Sequence, residues 1–130
     1  MSKTYIKVTP DMGRGLFALQ DLPKDKLLFT CELLVLSPED TLKVNATDLQ
    51  YYTFKYNETQ DCLVLGDGEI FNHGANPNIG YKIIDFDGRR VMAFFTLTYI
   101  NRDTQLFIDY SADIEIDVLK YNVNLIGDSK

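Results

Sequence analysis

Residues 79–86 and 91–97 are two apolar stretches that flank the dipeptide Asp87-Gly88. Glycine readily adopts the positive φ angles of a two-residue hairpin turn, so this arrangement predicts an antiparallel β-hairpin. Further strand signals lie at residues 5–8, 27–36, 51–56, 63–65 and 106–108, and the run 27–36 is apolar enough for a buried strand. Helix is indicated only over residues 38–49, where Ser37 and Pro38 form a cap signal, and over residues 114–121. The pattern predicts a mostly β fold with little helix.

The length and composition are those of one globular domain. The chain has 130 residues, of which 45% are hydrophobic and 25% are charged. Domains run to about 100–200 residues, and this composition argues against disorder. No repeat, low-complexity segment or linker divides the sequence, so we expect residues 1–130 to form a single domain.

The charge balance restricts the partners. Lysine and arginine number 13 against 19 for aspartate and glutamate, which gives a net charge of −6. We therefore expect no direct binding to nucleic acid and none to a membrane, and we expect a basic partner. The start of the sequence has no apolar stretch of signal-peptide length, and the longest apolar run is residues 33–36. These features predict an intracellular protein of the cytoplasm or nucleus, or of the host nucleus if it is viral or an effector.

The cysteines are too few for a disulfide scaffold. Cys31 and Cys62, together with one histidine, also make a poor zinc-binding set. We expect two buried free thiols and no metal site.

Residues 11–18 contain two glycines one residue apart, Gly13 and Gly15. Such glycines let the backbone approach a ligand closely and leave its amides free to contact it. The segment is not a dinucleotide fingerprint, because no third glycine and no helix pattern follow. An ordinary tight turn is the alternative.

Residues 70–78, Ile70-Phe71-Asn72-His73-Gly74-Ala75-Asn76-Pro77-Asn78, place three asparagines and the histidine between apolar strands. Asparagine and histidine offer donors and acceptors that suit an adenine edge or an amino-acid head group. The alternative is a loop whose asparagine side chains satisfy backbone groups.

Residues 105–110 read as a short strand that ends on Tyr110. Taken alone, a tyrosine in this place is typical of half-buried packing with a hydrogen-bonded hydroxyl.

In this order, the three segments resemble the motifs of the SET-domain protein lysine methyltransferases. The sequence Gly13-Arg14-Gly15-Leu16-Phe17-Ala18 matches the opening Gly-x-Gly motif of the family. Phe71-Asn72-His73 followed by Asn76-Pro77-Asn78 is similar to its Asn-His-Ser-Cys-x-Pro-Asn motif, and Leu106-Phe107-Ile108-Asp109-Tyr110 to its Glu-Leu-x-Phe-Asp-Tyr motif. The resemblance covers about residues 5–110. The length is similar to that of small free-standing members, among them a viral histone lysine methyltransferase.

The resemblance implies a SET-domain (β-clip) fold of several small β-sheets with a knot-like threading of the last two motifs. It implies an S-adenosyl-L-methionine-dependent protein lysine N-methyltransferase that acts on a lysine in a basic tail, such as a histone tail. Three alternatives are open for the site: the C-terminal segment 111–130 closes it, a second chain helps to close it, or it stays open. The similar length of a viral member that pairs as a dimer suggests a homodimer as a hypothesis.

The resemblance also assigns roles to individual residues. Tyr110 would be the catalytic tyrosine. Met12, Gly13, Arg14 and Gly15 would hold the methionine end of the cofactor, and Phe71, Asn72 and His73 its amine and adenine. In the substrate channel, Tyr81 and Ile108 fall where family members limit the number of methyl groups. Tyr81 would restrict methylation and Ile108 would relax the restriction, so the number of methyl groups stays open; core packing is the alternative for Ile108. Tyr51 and Tyr52 lie where the family contacts substrate, although their stretch equally fits a half-buried strand.

The sequence departs from the family pattern in three places. Gly74-Ala75 replaces the usual Ser-Cys, and Gln105 replaces an acidic residue that could brace the loop. No cysteine cluster follows Tyr110, which excludes a zinc-bound tail. The carboxylates Asp113, Glu115 and Asp117 could attract a basic substrate or could form a solvated face.

An inactive SET-like module that binds a basic peptide or protein is the alternative function. It would bind a basic peptide without transferring a methyl group. Hydrolysis through His73 is not supported, because no nucleophile motif accompanies the histidine.

Overall fold

The computed structural model describes residues 2–109, which form mainly β-strands with little helix, as predicted. Tyr110, the segment 111–130 and the predicted helix 114–121 lie outside the described residues. Within the described range the chain forms the following elements: β1 Thr4–Thr9, β2 Gly13–Ala18, β3 Leu27–Val35, α1 Pro38–Asn45, β4 Thr53–Lys55, β5 Asp61–Val64, β6 Asn72–His73, β7 Ile79–Phe86, β8 Arg89–Thr96 and β9 Gln105–Ile108. Two short 3-10 turns, Asp48–Tyr52 and Asp67–Glu69, complete it.

The strands form two sheets with different connectivity. One sheet has the order β1-β2-β9-β6, so the last strand lies between two earlier ones. The other sheet has the order β4-β5-β3-β8-β7. The pairing of β6 with β9 is parallel, whereas the other described pairs of strands are antiparallel.

The predicted hairpin forms, and its second strand begins at Arg89, two residues earlier than predicted. Strands β7 and β8 pair from Ile79 opposite Thr96 to Phe86 opposite Arg89. Asp87 and Gly88 make the turn with φ angles of 52° and 79°. Positive φ at both central residues is the geometry that matches the twist of antiparallel strands, which explains why the local sequence was sufficient for this prediction.

The helix predicted over residues 38–49 begins at Pro38, as predicted, but it ends at Asn45 and is therefore shorter than predicted. The Ser37 hydroxyl accepts a hydrogen bond from the Asp40 amide at 3.1 Å, and Pro38 occupies the first turn. The helix ends at Asn45, and a 3-10 turn follows. The strand predicted over residues 51–56 is therefore shorter, since only β4 is extended.

Two segments that the sequence analysis treated as turn and loop contain strands. The glycine motif forms β2, which pairs with β1, and the turn lies before it. Thr9 stabilises that turn, because its hydroxyl accepts a hydrogen bond from the Met12 amide at 2.9 Å and donates one to the Gly13 carbonyl at 2.8 Å. The Asn-His pair forms β6, which pairs with β9.

The core lies beneath both sheets and contains the predicted thiols. Leu16, Phe94 and Leu106 are fully buried, and Cys31 and Cys62 are buried and free. Burial raises the pKa of each thiol to about 11. The amino-terminal half of β3 is buried, but Leu34 and Val35 at its other end are exposed, so the prediction of a buried strand holds only in part.

No helix in the part of the chain that the structure describes is long and apolar enough to cross a membrane.

Candidate active site

The sheet that contains β9 brings the three sequence motifs together. Strand β2 carries the glycine motif and pairs with β9, with Leu16 opposite Leu106. Strand β6 carries the Asn-His pair and lies along the other edge of β9, with Asn72 opposite Phe107. Segments that are about 30 to 90 residues apart in sequence therefore meet at one point.

The Asn72 side chain connects all three strands. Its Nδ2 donates a hydrogen bond to the Arg14 carbonyl at 3.2 Å and another to Gln105 Oε1 at 2.9 Å. An amide nitrogen has two hydrogens, so both are used. The Oδ1 atom accepts no hydrogen bond from residues 2–109.

Gly15 is required here for space. A Cβ on Gly15 would lie 2.6 Å from Gln105 Oε1 and 3.1 Å from Asn72 Nδ2. Gly13 differs, because its φ is +69° and an added Cβ would meet no described atom within 4 Å. The two glycines therefore serve different purposes: Gly13 permits the turn conformation, and Gly15 makes room for the Asn72–Gln105 contact.

A cleft of about 340 Å³ opens beside this contact, and most of the predicted cofactor-binding residues line it. Its lining consists of Met12, Arg14, Tyr51, Tyr52, Glu69, Ile70, Phe71, Asn72 and His73. Gly13 and Gly15 are on the adjoining strand β2. The cleft therefore joins residues that the sequence analysis divided between cofactor and substrate.

Tyr51 and Tyr52 lie in the 3-10 turn before β4, with exposed fractions of 71% and 53%. The alternative of a half-buried strand is therefore wrong for this pair. Two exposed tyrosines at the rim of a cleft can contact a ligand, because each presents an apolar ring and a hydroxyl.

Tyr81 and Ile108 are not among the residues that line this cleft. The Tyr81 hydroxyl donates a hydrogen bond to the Asp109 carbonyl at 3.1 Å, and its ring meets Phe54 edge-on at 5.2 Å. Ile108 is fully buried in the core. Their assignment to the substrate channel stays a prediction, as does the catalytic role of Tyr110, which lies outside the described residues.

His73 and Asp109 face each other across the parallel pair. The His73 Nδ1 and Asp109 Oδ1 atoms are 3.7 Å apart. The Gly74 amide also donates a hydrogen bond to the Ile108 carbonyl at 2.9 Å. The backbone that leads to Asp109 is thus held by β6 along one edge.

Glu69 is a cleft residue that the sequence analysis did not select. It is half-buried, and burial raises the pKa of its carboxyl, while the hydrogen bond from the Val64 amide to Oε1 at 2.9 Å acts in the opposite direction. Its sequence signal is its place in residues 65–70, which lead into the Asn-His motif and resemble the corresponding segment of the family. Among residues 2–109, no group of three or more histidine, cysteine or acidic side chains could hold a metal ion.

The arrangement favours a ligand with cationic, anionic and aromatic parts. Asn72 Oδ1, which accepts no hydrogen bond within residues 2–109, and the Glu69 carboxylate can receive donors, and the Arg14 guanidinium can pair with an anion. The two exposed tyrosines offer ring surfaces, whereas Phe71 is only 2% exposed and its ring packs in the core against Phe29 and Phe94.

Comparisons with known proteins agree with this geometry. The SET domain family model matches residues 13–111. The chain is 33% identical over 111 residues to a histone-lysine N-methyltransferase of Schizosaccharomyces pombe that is specific for H3 lysine-37, an alignment that covers 84% of this chain and 74% of that protein.

Two solved structures have a similar fold. One is a candidate histone methyltransferase of Plasmodium falciparum, with a TM-score of 0.72 and 23% identity over 87% of this chain and 96% of that one. The other is a humanized mutant of the Chaetomium thermophilum Polycomb Repressive Complex 2 bound to an inhibitor, with a TM-score of 0.71 and 18% identity over 85% of this chain and 15% of that one. Both structures support the fold, and the sequence matches go further. The chain belongs to the SET-domain protein lysine methyltransferase family.

Proposed function

We propose that this lysine methyltransferase uses S-adenosyl-L-methionine as its methyl donor and acts on a lysine in a basic tail such as a histone tail. The observation that carries the proposal is the cleft beside the glycine motif, which Asn72 lines with an Oδ1 atom that accepts no hydrogen bond within residues 2–109. When bound, the cofactor supplies an electrophilic methyl group.

The described residues fit this cofactor. Its ammonium group needs an acceptor, which Asn72 Oδ1 provides, and its carboxylate needs a cation, which Arg14 provides. The cleft volume of about 340 Å³ falls within the range of about 300–1,000 Å³ that small-molecule sites occupy.

The substrate side follows from charge and from aromatic side chains. A net charge of −6 attracts a basic segment over the distance at which the two molecules meet. Tyr51 and Tyr52 can then contact the apolar stem of a lysine and attract its cationic head. The relative from Schizosaccharomyces pombe is named as a histone methyltransferase, which supports a histone tail as the first substrate to test.

The reaction requires a neutral substrate amine. The ordinary pKa of lysine is about 10.4, and desolvation in a narrow channel lowers it, because burial disfavours the charged form. Tyr110 would orient the amine for an in-line displacement, where positioning contributes most of the catalysis. No pair of carboxylates is needed for this role.

The test is methyl transfer to recombinant histones, read by mass spectrometry. We expect the wild type to add methyl groups to a histone tail, and Asn72→Ala and Tyr110→Phe to lose most of the activity. Asn76→Ala is the matched control, since Asn76 is an exposed asparagine of the same loop that does not line the cleft. Histone binding without any transfer by the wild type would favour the inactive binding module instead.

The homodimer and the cytoplasmic or nuclear location remain predictions from the sequence. Light scattering addresses the first, and a monomer mass would contradict it. Imaging of a tagged chain addresses the second.

A further inference from the structure

We propose that Gln105 is a positioning residue that fixes the Asn72 amide so that Oδ1 is presented to the ammonium group of the cofactor. The inference rests on the proposed function and adds a residue to it. In the sequence, Gln105 is a departure from the acidic residue of the family motif, and its role is not evident there.

The orientation of the Asn72 amide follows from its contact with the backbone. A carbonyl oxygen can only accept, so the atom of Asn72 that lies 3.2 Å from the Arg14 carbonyl is Nδ2. The same Nδ2 lies 2.9 Å from the amide of Gln105, so the Gln105 atom that meets it is the acceptor Oε1. Both side-chain orientations are therefore determined by one backbone group.

Without Gln105, the amide would keep a single hydrogen bond. The contact between Asn72 and Arg14 is the longer of the two, and it lies on the exposed side of the residue. One hydrogen bond leaves rotation about the terminal torsion of Asn72 open, because that torsion has broad wells. Two hydrogen bonds from one nitrogen fix the plane of the amide and therefore the direction of Oδ1.

Gln105 is itself held in place. The Asn78 Nδ2 donates a hydrogen bond to the backbone carbonyl of Gln105 at 2.9 Å. The absence of a Cβ at Gly15 leaves room for the Gln105 side chain. A glutamate in this position could accept the same hydrogen bond from Asn72, so Gln105 keeps the acceptor and omits only the charge. The departure from the family motif thus preserves the geometry of Asn72.

The test uses calorimetric titration of two probes. S-adenosylhomocysteine contains the amino-acid end, and 5′-methylthioadenosine lacks it. We expect Gln105→Met, which has a similar length but no oxygen, to weaken S-adenosylhomocysteine binding about tenfold, since hydrogen bonds to charged groups contribute about this much. Binding of 5′-methylthioadenosine should change less than about twofold by the same reasoning. Gln105→Glu should retain the affinity of the wild type within about threefold, because it retains the acceptor.

A double variant separates positioning from direct contact. If Gln105 acts through Asn72, Gln105→Met should add no further loss to Asn72→Ala. Melting curves without ligand establish that each variant is folded.

Each of three results would overturn the proposal: equal losses for both probes, no loss in Gln105→Met, or additive losses in the double variant. A wild type that binds neither probe would reject the proposed cofactor as well, which distinguishes that failure from the failure of Gln105 alone.

Discussion

Replacement of Gly15 by alanine tests the link between close packing and cofactor binding. The new Cβ would lie 2.6 Å from Gln105 Oε1. The oxygen must move by about 0.7 Å to reach an acceptable carbon–oxygen separation of about 3.3 Å. Because Oε1 is at the end of a flexible side chain, Gln105 can swing away, and the chain can still fold. The movement breaks the 2.9 Å hydrogen bond from Asn72.

The stability cost of Gly15→Ala is modest. The lost hydrogen bond costs about 1 kcal/mol, and crowding against Asn72 and Thr9 costs about 1 kcal/mol more. Alanine also lowers the conformational entropy of the unfolded variant, and this effect offsets about 0.5–1 kcal/mol of the stability cost. A net loss of about 1 kcal/mol corresponds to a fall of about 4 °C in Tm for a chain of this size. The affinity for S-adenosylmethionine should fall about tenfold, since the Asn72 acceptor is no longer fixed.

The assay combines thermal melting with calorimetric titration of S-adenosylmethionine, and Gly88→Ala is the stability-matched control. Gly88 has a φ of +79°, and an added Cβ there would meet no described atom within 4 Å. Alanine at that φ costs about 1 kcal/mol, and Gly88 lies in the β7–β8 turn and does not line the cleft. We expect both variants to melt at similar temperatures and only Gly15→Ala to bind weakly. Wild-type affinity in Gly15→Ala, or equal loss in both variants, would refute the reasoning.

Three further results are expected. Gly74→Ser should lower the free energy of unfolding by about 1 kcal/mol in urea, because the added Cβ would lie only 3.0 Å from the Phe107 side chain. Ala75→Ser at the next position is the control and should be neutral, and equal stabilities of the two variants would contradict the prediction. Thr96→Val should lower the free energy of unfolding by about 2 kcal/mol in urea, with an unchanged m value. The buried Thr96 hydroxyl donates a hydrogen bond to the Pro23 carbonyl at 2.6 Å and accepts one from the Lys26 amide at 2.9 Å, and a cost below about 0.5 kcal/mol would contradict a role for these bonds. Burial raises the pKa of the two cysteine thiols from 9.0 to about 11, so they should react slowly with iodoacetamide at pH 8 until the chain unfolds; rapid labelling of the folded chain would show that they are not buried. The free energy of unfolding should decline between pH 9 and pH 11, because only the unfolded state loses these protons in that range.

The elements that the sequence predicted well are those whose signals are local. The β7–β8 hairpin follows from one dipeptide, and the start of α1 follows from Ser37 and Pro38. Strand β6 could not be predicted in this way, because its two residues become a strand only through pairing with β9. Residues 48–52 form a 3-10 turn, although Tyr51 and Tyr52 belong to the aromatic type that favours strands.

The candidate site shows the same division. Motif residues such as Arg14, Asn72 and His73 could be selected from the sequence because they lie in recognisable segments, and the structure brings them to one cleft. Glu69 and Gln105 could not be selected, since their importance depends on neighbours distant in sequence. Gln105 was interpreted from sequence as the loss of a brace, whereas its neutral oxygen braces Asn72 in the folded chain.

The sequence of residues 70–78 allowed two interpretations: a ligand-binding segment, or a loop whose asparagine side chains satisfy backbone groups. In the structure, different asparagines of this segment fit each interpretation. Asn78 satisfies backbone groups of β9: its Nδ2 donates to the Gln105 carbonyl at 2.9 Å, and its Oδ1 accepts from the Phe107 amide at 2.8 Å. One side chain thus pairs with β9 as a neighbouring strand would, and the short strand β6 needs this help, because two residue pairs supply few ladder hydrogen bonds. Asn72 uses its donors in the same framework and keeps its acceptor for the cleft. The position of the atom that we propose to bind the ligand therefore depends on the same hydrogen bonds that hold β9 in the sheet, which is why we expect substitutions of Asn72 and Asn78, but not of the exposed Asn76, to affect binding and stability together.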